Sequence, residues 1–370
     1  MKDVEQTSQA QAMIQIDGSR YSGSGTIVRQ AVAFAALTGR PIHIVNARVR
    51  RPNPGLRPQH IRVVEAIREL VGGTAEGLTA GSQELWFRPG PLKAQPRYVW
   101  DIGTAGSTTM LGLALIPVLA FASSTVSVEL RGGLFQDFAP SVFHLQYVVA
   151  PLLKKMGLKV EVMMERPGYV PRGEGVLRLT VTPPRTPLRS LTLEHAGAVR
   201  RMWGIALASH LVERKVSRRM AGAAKQVLAR AGYDAEIEER DDTTALQPGA
   251  ALALFADEEG GVCLGADRAG ALRRTAESIG RHAATQLLED LKTGAALDRF
   301  AADQVVPFAA LAEGESRLLA PVITDHLATG AWLVEQFLGA RVKIDGRLVC
   351  VSGVGFTGLR SDQQPAERSE

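Results

Sequence analysis

One local pattern occurs four times along the chain: a helical stretch, a glycine, and then a strand of alternating polarity. The glycines are Gly72, Gly157, Gly232 and Gly339. Glycine is favoured directly after a helix because it readily adopts the left-handed conformation that ends one, and alternation with a period of two is typical of a half-buried strand. The chain has 370 residues, enough for two or three domains. The repetition therefore predicts a protein built from recurring units of helix followed by strand.

Strands also come in pairs after several of these helices, as at residues 75–78 with 82–89 and 160–164 with 175–183. Such hairpins favour α+β layers with mixed sheets over a doubly wound parallel sheet. Prolines in the segment 181–187 cannot continue a helix or a central strand, which predicts a boundary there. We therefore expect flexible tails at 1–12 and 359–370, a large domain over 13–184 and 268–358, and an inserted small α/β domain over 185–267.

The composition narrows the class of protein. Only two cysteines are present, Cys263 and Cys350, so a disulfide framework or a cysteine metal cluster is not expected. The apolar run at 110–122 contains Pro117 and is shorter than the roughly 20 residues that span a bilayer, which predicts a buried helix. The first residues lack the basic and apolar regions of a signal peptide. We expect a cytoplasmic protein that does not enter a membrane.

Positive charge is concentrated in one stretch, although the net charge is only +5. Between residues 40 and 68 the single acid is Glu65, and seven arginines are present: Arg40, Arg48, Arg50, Arg51, Arg57, Arg62 and Arg68. A guanidinium group binds phosphate oxygens in pairs, and the prolines of this stretch reduce the cost of ordering it. On charge alone, a site for a nucleotide or polyanion and a solvated basic loop both remain open.

Two segments lead through small residues into a helix. The first, residues 16–37, passes through a Gly/Ser turn into a helix that begins near Gly25, with Arg29 one turn inside it. The second, residues 101–115, leads into an apolar helix. Backbone N–H groups at such a turn favour a phosphate, but the first turn matches neither the Walker A pattern nor GxGxxG. A phosphate site and a tight connection are both compatible with each segment.

No two of the seven histidines have the HxxxH spacing of a helical zinc site, so metal binding by histidine is not expected. His326 lies at the start of an apolar helix that Thr324 and Asp325 can cap. A histidine there is often structural. A helix N-terminus also lowers the pKa of an imidazole, which leaves the ring neutral and nucleophilic at pH 7. Both roles remain open at this point.

Taken in order, seven segments resemble the RNA 3′-terminal phosphate cyclase family. They are DGSRYSGSGTIVR (17–29), RVRRPNPGLRPQH (48–60), IGTAGSTT (102–109), RGGLFQDFAP (131–140), GYVPRGEG (168–175), FAADQ (300–304) and DHLATGAW (325–332). PGLRPQH is the most specific of these. The resemblance implies an α+β fold in which a large domain of three repeated βαβαββ-like units, similar to that of the enolpyruvyl transferases, carries a smaller inserted α/β domain.

The activity implied by this resemblance is ATP-dependent conversion of an RNA 3′-terminal phosphate to a 2′,3′-cyclic phosphate, a ligase reaction that forms phosphoric ester bonds. His326 aligns with the family's nucleophile, which attacks the α-phosphorus of ATP and becomes an AMP-histidine. The adenylate then passes to the RNA 3′-phosphate, and the neighbouring 2′-hydroxyl displaces AMP. The expected cofactors are ATP and a divalent metal, Mg²⁺ or Mn²⁺, and the expected partner is RNA with a 3′-phosphate end.

The resemblance also assigns further site residues. Those implied at the ATP site are Leu113, Pro140, Phe300, Asp303 and Gln304. Those implied to bind phosphate or RNA are Arg29, Arg48, Arg51, Arg57, Gln59 and His60. No metal ligand is assigned, and the oligomeric state is left open.

Several positions depart from the family pattern. Ser22 replaces a glutamate associated with metal binding, Thr26 replaces a glutamine, Leu113 replaces a nucleotide-contacting glutamine and Phe300 replaces a tyrosine. Because these changes surround the nucleotide, they favour a divergent cyclase with altered cofactor handling. Two alternatives to a cyclase remain: a non-catalytic RNA-binding factor of ribosome assembly with the same fold, and an enolpyruvyl-type transferase that uses no ATP. The non-catalytic branch lacks the histidine that this chain has at position 326.

Overall fold

The computed structural model of the chain describes residues 12–358. The tails expected at 1–12 and 359–370 lie outside this range, apart from Ala12. Within it, the secondary structure forms three units of the same topology and one inserted unit of another. The buried apolar residues of these units form one continuous core.

The first unit has the order βαβαββ. Its elements are β1 (Ile14–Asp17), α1 (Gly25–Thr38), β2 (Ile42–Val45), α2 (Pro58–Val71), β3 (Thr74–Glu76) and β4 (Leu85–Arg88). The strand order in the sheet is β1-β2-β4-β3, with β1 and β2 parallel and the other pairs antiparallel. Helix α1 begins at Gly25, as the sequence predicts, and is buried along nearly its whole length.

The second unit repeats this order. Its elements are β5 (Arg97–Asp101), α3 (Thr108–Leu119), β6 (Val126–Gly132), α4 (Val142–His144), α5 (Ala150–Lys155), β7 (Lys159–Arg166) and β8 (Gly175–Thr182). A π-helical turn at Leu145–Val149 joins α4 to α5, so the two act as one helical segment. The strand order is β5-β6-β8-β7. Helix α3 is buried, which confirms the buried helix predicted at 110–122, and none of the described helices is long and apolar enough to cross a membrane.

The inserted unit follows a short strand, β9 (Thr192–Leu193). It contains β10 (Val199–Ser209), α6 (Val216–Arg230), β11 (Ala235–Asp242), β12 (Gly249–Glu258), β13 (Cys263–Ala269) and α7 (Ala276–Leu291). Its strand order is β11-β10-β12-β13, and α6 and α7 pack against each other and against this sheet.

The ends of the inserted unit differ from those expected at 185–267. Asp267 lies inside β13, and α7, which the sequence assigns to the large domain, packs its apolar face onto α6, β12 and β13. At the other end, β9 pairs with a strand of the third unit. The proline segment at 181–187 therefore separates the second unit from the third, and the insertion begins after β9.

The third unit is completed beyond the insertion. Its remaining elements are α8 (Arg299–Leu311), β14 (Glu313–Leu319), α9 (Asp325–Leu338), β15 (Arg341–Asp345) and β16 (Leu348–Val354). With β9 parallel to β14, the strand order is β9-β14-β16-β15, the same as in the other two units. This confirms the α+β fold of three βαβαββ-like units with an inserted α/β unit.

Two features of this fold position the site. The glycines at 72, 157, 232 and 339 all have positive φ, between 59° and 97°, which confirms the repeated helix-to-strand turn. Helix α1 packs against α2, α3 and α9, and α8 packs against α3 and α9. Helices of all three units therefore meet around α1, and the starts of α1 and α9 lie together.

Candidate active site

His326 lies in the first turn of α9 and is half-buried. The helix is capped by Thr324, whose hydroxyl oxygen accepts a hydrogen bond of 2.9 Å from the backbone N–H of Leu327. The capping predicted from the sequence is therefore confirmed. A capped N-terminus holds the imidazole in a defined place at the edge of the helix.

Thr26 holds one edge of the His326 ring. Its Oγ1 lies 2.9 Å from Nδ1 of His326 and accepts a hydrogen bond of 3.2 Å from Nη2 of Arg29. Thr26 is in the first turn of α1, which Ser24 caps. When Nδ1–H donates to Thr26, the lone pair of Nε2 is free. The arrangement leaves Nε2 as the atom able to act as a nucleophile.

The surroundings keep this imidazole neutral. Burial lowers the pKa of His326, and the charges of Arg29 and Arg51 lower it further, while Asp325 offsets part of the effect. Because the ordinary value is 6.5, the ring is uncharged at pH 7. A neutral imidazole has the free electron pair that nucleophilic attack needs.

The arginines around His326 have no acidic partners. Burial, followed by Arg48 and Arg51, lowers the pKa of Arg29 to about 10, and burial with Arg51 and Arg57 also lowers the pKa of Arg48. Among residues 12–358, no salt bridge includes Arg29, Arg48, Arg51 or Arg57. A cluster of cations that repel one another favours a polyanionic ligand.

The loop before α2 exposes some of these arginines, and another stabilises the loop through hydrogen bonds to its backbone. Arg48 has a φ of 56° and donates from Nη1 to the carbonyl oxygens of Asn53, at 2.9 Å, and Gly55. Arg51 and Arg57 are exposed at the surface of the loop. Of the predicted phosphate ligands on this loop, Arg51 and Arg57 are thus open to a ligand, while Arg48 also shapes the loop.

Gln59 and His60 are engaged within the protein. His60 is buried, and its Nδ1 accepts a hydrogen bond of 3.0 Å from the backbone N–H of Arg57. Its ring lies against Gly25, where a Cβ atom would come within 2.0 Å of Nε2, so only glycine fits. Oε1 of Gln59 accepts a hydrogen bond of 3.0 Å from the N–H of Ser107, the N-cap of α3. Both residues, predicted to bind phosphate or RNA, hold the starts of three helices together.

The protonation state of His60 follows from this position. Burial lowers its pKa well below the ordinary value, and three arginines add to the effect: Arg29, Arg48 and Arg57. The ring is neutral at pH 7, so it adds no further charge to the cluster of arginines.

A crevice opens beside this cluster between α1, α3 and α8. Its walls are mostly apolar, and its lining includes Thr26, Arg29, Gln30, Leu113, Gln304 and Phe308. Gln30 is part of this lining, but its buried Oε1, which has no hydrogen-bond partner, lies on the side of α9, 3.6 Å from where a Cβ atom at Gly330 would be. Apolar walls, amide side chains and a cationic end are the lining that a flat heterocycle with a phosphate chain needs. The free volume is only about 30 Å³, so α1, α3 and α8 must move apart to admit one.

Asp303 is next to the crevice but faces the cap of α9. It is buried, and its carboxylate accepts a hydrogen bond from the hydroxyl of Thr324. Burial raises its pKa to about 7, and the nearby Asp298 adds to the rise. Asp303 is therefore partly protonated near neutral pH and connects α8 to the turn that carries His326.

Pro140 and Phe300 do not line this crevice. The carbonyl oxygen of Pro140 accepts a hydrogen bond of 2.7 Å from the hydroxyl of Thr109, in the first turn of α3. The ring of Phe300 packs edge-on against His144, with 6.0 Å between ring centroids. Of the five residues predicted at the ATP site, Leu113 and Gln304 line the crevice, Asp303 adjoins it, and Pro140 and Phe300 lie outside its lining.

Hydroxyl groups line the loop before α1. Ser22 accepts a hydrogen bond of 2.9 Å from Thr329 on α9 and lies 3.0 Å from Oγ of Ser24. Residues 12–358 contain no group of three histidine, cysteine, aspartate or glutamate side chains placed to hold a metal ion. The described side chains thus do not fit a metal held by the protein alone.

The sequence does not reveal the roles of Thr26 and Thr329 at this site. In the sequence, Thr26 stands out only as a departure from the pattern that the resemblance implies, and nothing singles out Thr329. The one available signal was the presence of hydroxyl residues in both segments. Neither spacing nor composition indicates that a residue at 26 meets one at 326, because 300 residues separate them.

Residues 20–344 match the family model described as RNA 3′-terminal phosphate cyclase. Three proteins of that name are similar to the chain: from Thermococcus onnurineus (40% identity over 91% of this chain and 97% of the relative), Hyperthermus butylicus (42% over 88% and 92%) and Pyrococcus furiosus (38% over 94% and 97%).

Among solved structures, the enolpyruvyl transferase NikO from Streptomyces tendae matches 95% of this chain and 50% of its own. The TM-score is 0.38 and the sequence identity is 10%. This likeness is too weak to support an argument about fold or function.

Proposed function

Because the chain belongs to the RNA 3′-terminal phosphate cyclase family, we propose that it converts an RNA 3′-terminal phosphate to a 2′,3′-cyclic phosphate at the expense of ATP. In this proposal it is a ligase that forms phosphoric ester bonds. One observation carries the proposal: a neutral His326 whose Nδ1 is held by Thr26, beside arginines that lack acidic partners.

The first step is the self-adenylation of the protein. Nε2 of His326 attacks the α-phosphorus of ATP, an N–P bond forms, and the P–O bond to pyrophosphate breaks. Arg29 and Arg51 lie near enough to depress the pKa of the imidazole, so they are also placed to offset charge that develops on the phosphoryl oxygens. Thr26 keeps the ring oriented while the product, an AMP-histidine, forms.

The next two steps activate and close the RNA end. An oxygen of the RNA 3′-phosphate attacks the phosphorus of the AMP-histidine, which breaks the N–P bond and forms an RNA adenylate. The 2′-hydroxyl then attacks the 3′-phosphorus, AMP leaves, and the hydroxyl proton is released. Ring closure needs no second substrate because the hydroxyl and the phosphate share one ribose, so the reaction is intramolecular. Exposed Arg51 and Arg57 are available to bind the end phosphate.

The crevice between α1, α3 and α8 is the proposed place of the adenine. Gln30 and Gln304 bring amide side chains to its lining, whereas Leu113 offers only apolar contact. A divalent cation, Mg²⁺ or Mn²⁺, is proposed to arrive on the nucleotide phosphates, since Mg²⁺ commonly relies on substrate phosphates for ligands. No step is assigned to it. A cytoplasmic location belongs to the same proposal.

The test is incubation with α-labelled ATP and either Mg²⁺ or Mn²⁺. Wild-type protein is expected to retain an acid-labile label after denaturation and to form cyclic ends on 3′-phosphorylated RNA. His326→Ala should retain none, while His195→Ala, a change at an exposed histidine, serves as the matched control. Failure of the wild-type protein to take up label with either metal, combined with binding of RNA, would favour a non-catalytic RNA-binding factor of ribosome assembly.

A further inference from the structure

An aromatic and cationic stack lies beside the candidate active site. The guanidinium carbon of Arg20 is 5.0 Å from the ring centroid of Trp332 and 5.7 Å from that of Tyr21. The two rings are 5.6 Å apart and tilted by 37°. Trp332 is buried, whereas Arg20 is exposed and Tyr21 is 41% exposed. The stack thus has a buried base and an open outer surface.

Trp332 connects this stack to α9, the helix that carries His326. Trp332 follows His326 by six residues on α9, about 9 Å along the axis at about 1.5 Å per residue. Thr329, midway between them, donates a hydrogen bond to the hydroxyl of Ser22 and accepts one of 3.2 Å from its backbone N–H. Ser22 directly follows Tyr21 in the chain. The outer surface of the stack therefore lies within a few nucleotides of His326.

Additional cations adjoin the stack. Nη1 of Arg50 donates a hydrogen bond of 3.0 Å to the carbonyl oxygen of Tyr21, and the Arg50 side chain covers Gly23. Arg51, which influences the pKa of His326, is the next residue. No salt bridge between described residues includes Arg20 or Arg50. A line of exposed positive charge thus runs from the stack to the site.

The backbone at Tyr21 is held in an unusual conformation. Its φ is 46°, which a bulky residue other than glycine rarely adopts. Such a conformation persists only where its neighbours maintain it, and here Arg50 on one side and the Ser22–Thr329 contact on the other do so. The loop therefore presents Tyr21 at the surface at a cost in backbone strain.

We propose that Arg20 and Tyr21, supported from below by Trp332, form a platform that binds the nucleotides preceding the 3′ end of a single-stranded RNA. Bases would stack on the tyrosine ring and the guanidinium plane, and the backbone phosphates would meet Arg50 and Arg51. Aromatic rings combined with arginines are the usual means of binding single strands, and they tolerate any base because every base has a π-face. The direction of the strand rests on the proposed function, which places the 3′-phosphate at His326.

The test compares RNA length. Affinities of the full chain for 3′-phosphorylated octamer and dimer oligoribonucleotides are measured by fluorescence anisotropy without ATP. Arg20→Ala and Tyr21→Ala are expected to weaken octamer binding about tenfold and dimer binding much less, since stacking contributes base by base. Tyr21→Phe, which keeps the ring, should restore octamer affinity. Arg201→Ala is the matched control, because that guanidinium lies 5.4 Å from the ring of Trp203 in the inserted unit.

The possible outcomes separate the two proposals. Equal losses for octamer and dimer, together with a lower melting temperature, would show that the stack only braces the loop and would overturn the platform. Unchanged octamer affinity would also overturn it. If the wild-type chain takes up no label from ATP but the length-dependent loss persists, the platform stands and the cyclase chemistry fails.

Discussion

Two histidines near helix starts, His326 and His144, occupy opposite electrostatic surroundings. His144 is fully buried, with Nε2 at 3.0 Å from each carboxylate oxygen of Asp298. Burial alone would lower its pKa, but the Asp298 carboxylate outweighs that effect and the pKa is raised. His326 is less buried, yet its pKa is lowered by burial and by arginines. The charge of the neighbouring side chains, more than the helix start, decides which histidine is charged.

The two surroundings have different consequences for the molecule. Asp298 also caps α8, accepting from the N–H groups of Phe300 and Ala301, and accepts a hydrogen bond of 2.9 Å from Gly265 in the inserted unit. Its charge and that of His144 are paired, so this junction joins the insertion to the large domain. Around His326 the cations have no acidic partner. That region keeps unpaired positive charge that a ligand could balance, whereas the charges at the junction are balanced within the chain.

The largest expected effect in this comparison is on labelling. His326→Ala should abolish retention of α-labelled AMP, because no other group replaces the nucleophile. Its free energy of unfolding should change by only about 1 kcal/mol, since one hydrogen bond to Thr26 is lost. The measurements are label retention and denaturant unfolding. A strongly destabilised variant would remove the distinction drawn between the two histidines.

His144→Ala should act in the opposite way, through stability. Removing one partner of a buried ion pair typically costs about 3–5 kcal/mol, because the other charge is left unpaired. Urea unfolding with His195→Ala as the exposed control measures this, and Asp298→Asn provides a second variant of the same pair. If His144→Ala unfolds at the same urea concentration as wild type, the pair does not stabilise the junction.

The pH dependence of the junction follows from the directions of the two pKa shifts. The raised pKa of His144 contributes to the free energy of unfolding. This contribution is complete below pH 6.5 and is lost as the pH rises through the raised value. Burial opposes the lowering of the pKa of Asp298, but the charge and the hydrogen bond of His144 outweigh it. The lowered pKa contributes stability that is present above pH 3.8 and is lost as the pH falls through the lowered value. Both contributions are complete between these values. The stability difference between wild type and His144→Ala should therefore be greatest there.

A smaller effect is expected from loosening the ring of His326. Thr26→Val removes the partner of Nδ1 and should slow self-adenylation about tenfold at saturating ATP, as expected for one lost hydrogen bond near the reacting group. Thr26→Ser keeps the hydroxyl and should recover most of the rate. The rate of label incorporation is measured apart from ATP affinity. A change in affinity alone would assign Thr26 to nucleotide binding and not to the orientation of His326.

The smallest effect is on the pH profile of labelling. In wild type the rate should fall only below pH 6.5, because the lowered pKa of His326 must be crossed before the ring is protonated. Arg51→Gln removes a positive charge that lowers this pKa and should move the acid limb upward by about 0.5 on the pH scale. Asp325→Asn should move it downward. Shifts in the same direction for both variants would contradict the electrostatic account.

Local signals in the sequence predict much of the fold. Glycine after four helices, the threonine that caps α9 and the start of α1 at Gly25 all depend on interactions within a few residues, so they are readable without the tertiary structure. The order of helices and paired strands likewise predicts recurring α+β units with mixed sheets, whereas the number of similar units, three, is implied only by the family resemblance. The ends of the insertion could not be predicted in this way, because α7 has the same amphipathic pattern whichever sheet it packs against.

The candidate site shows the same distinction between what local sequence predicts and what packing between distant segments decides. The residue types it requires, an imidazole at a helix start and arginines in a stiff loop, were determined by the sequence. Tertiary structure alone decided that Thr26 meets His326, that Gln59 meets Ser107 and that Thr324 meets Asp303, since these contacts join segments far apart in the chain. The pKa of each histidine depends on charges brought near it by folding. Local interactions thus set the elements, and packing between distant segments set the chemistry.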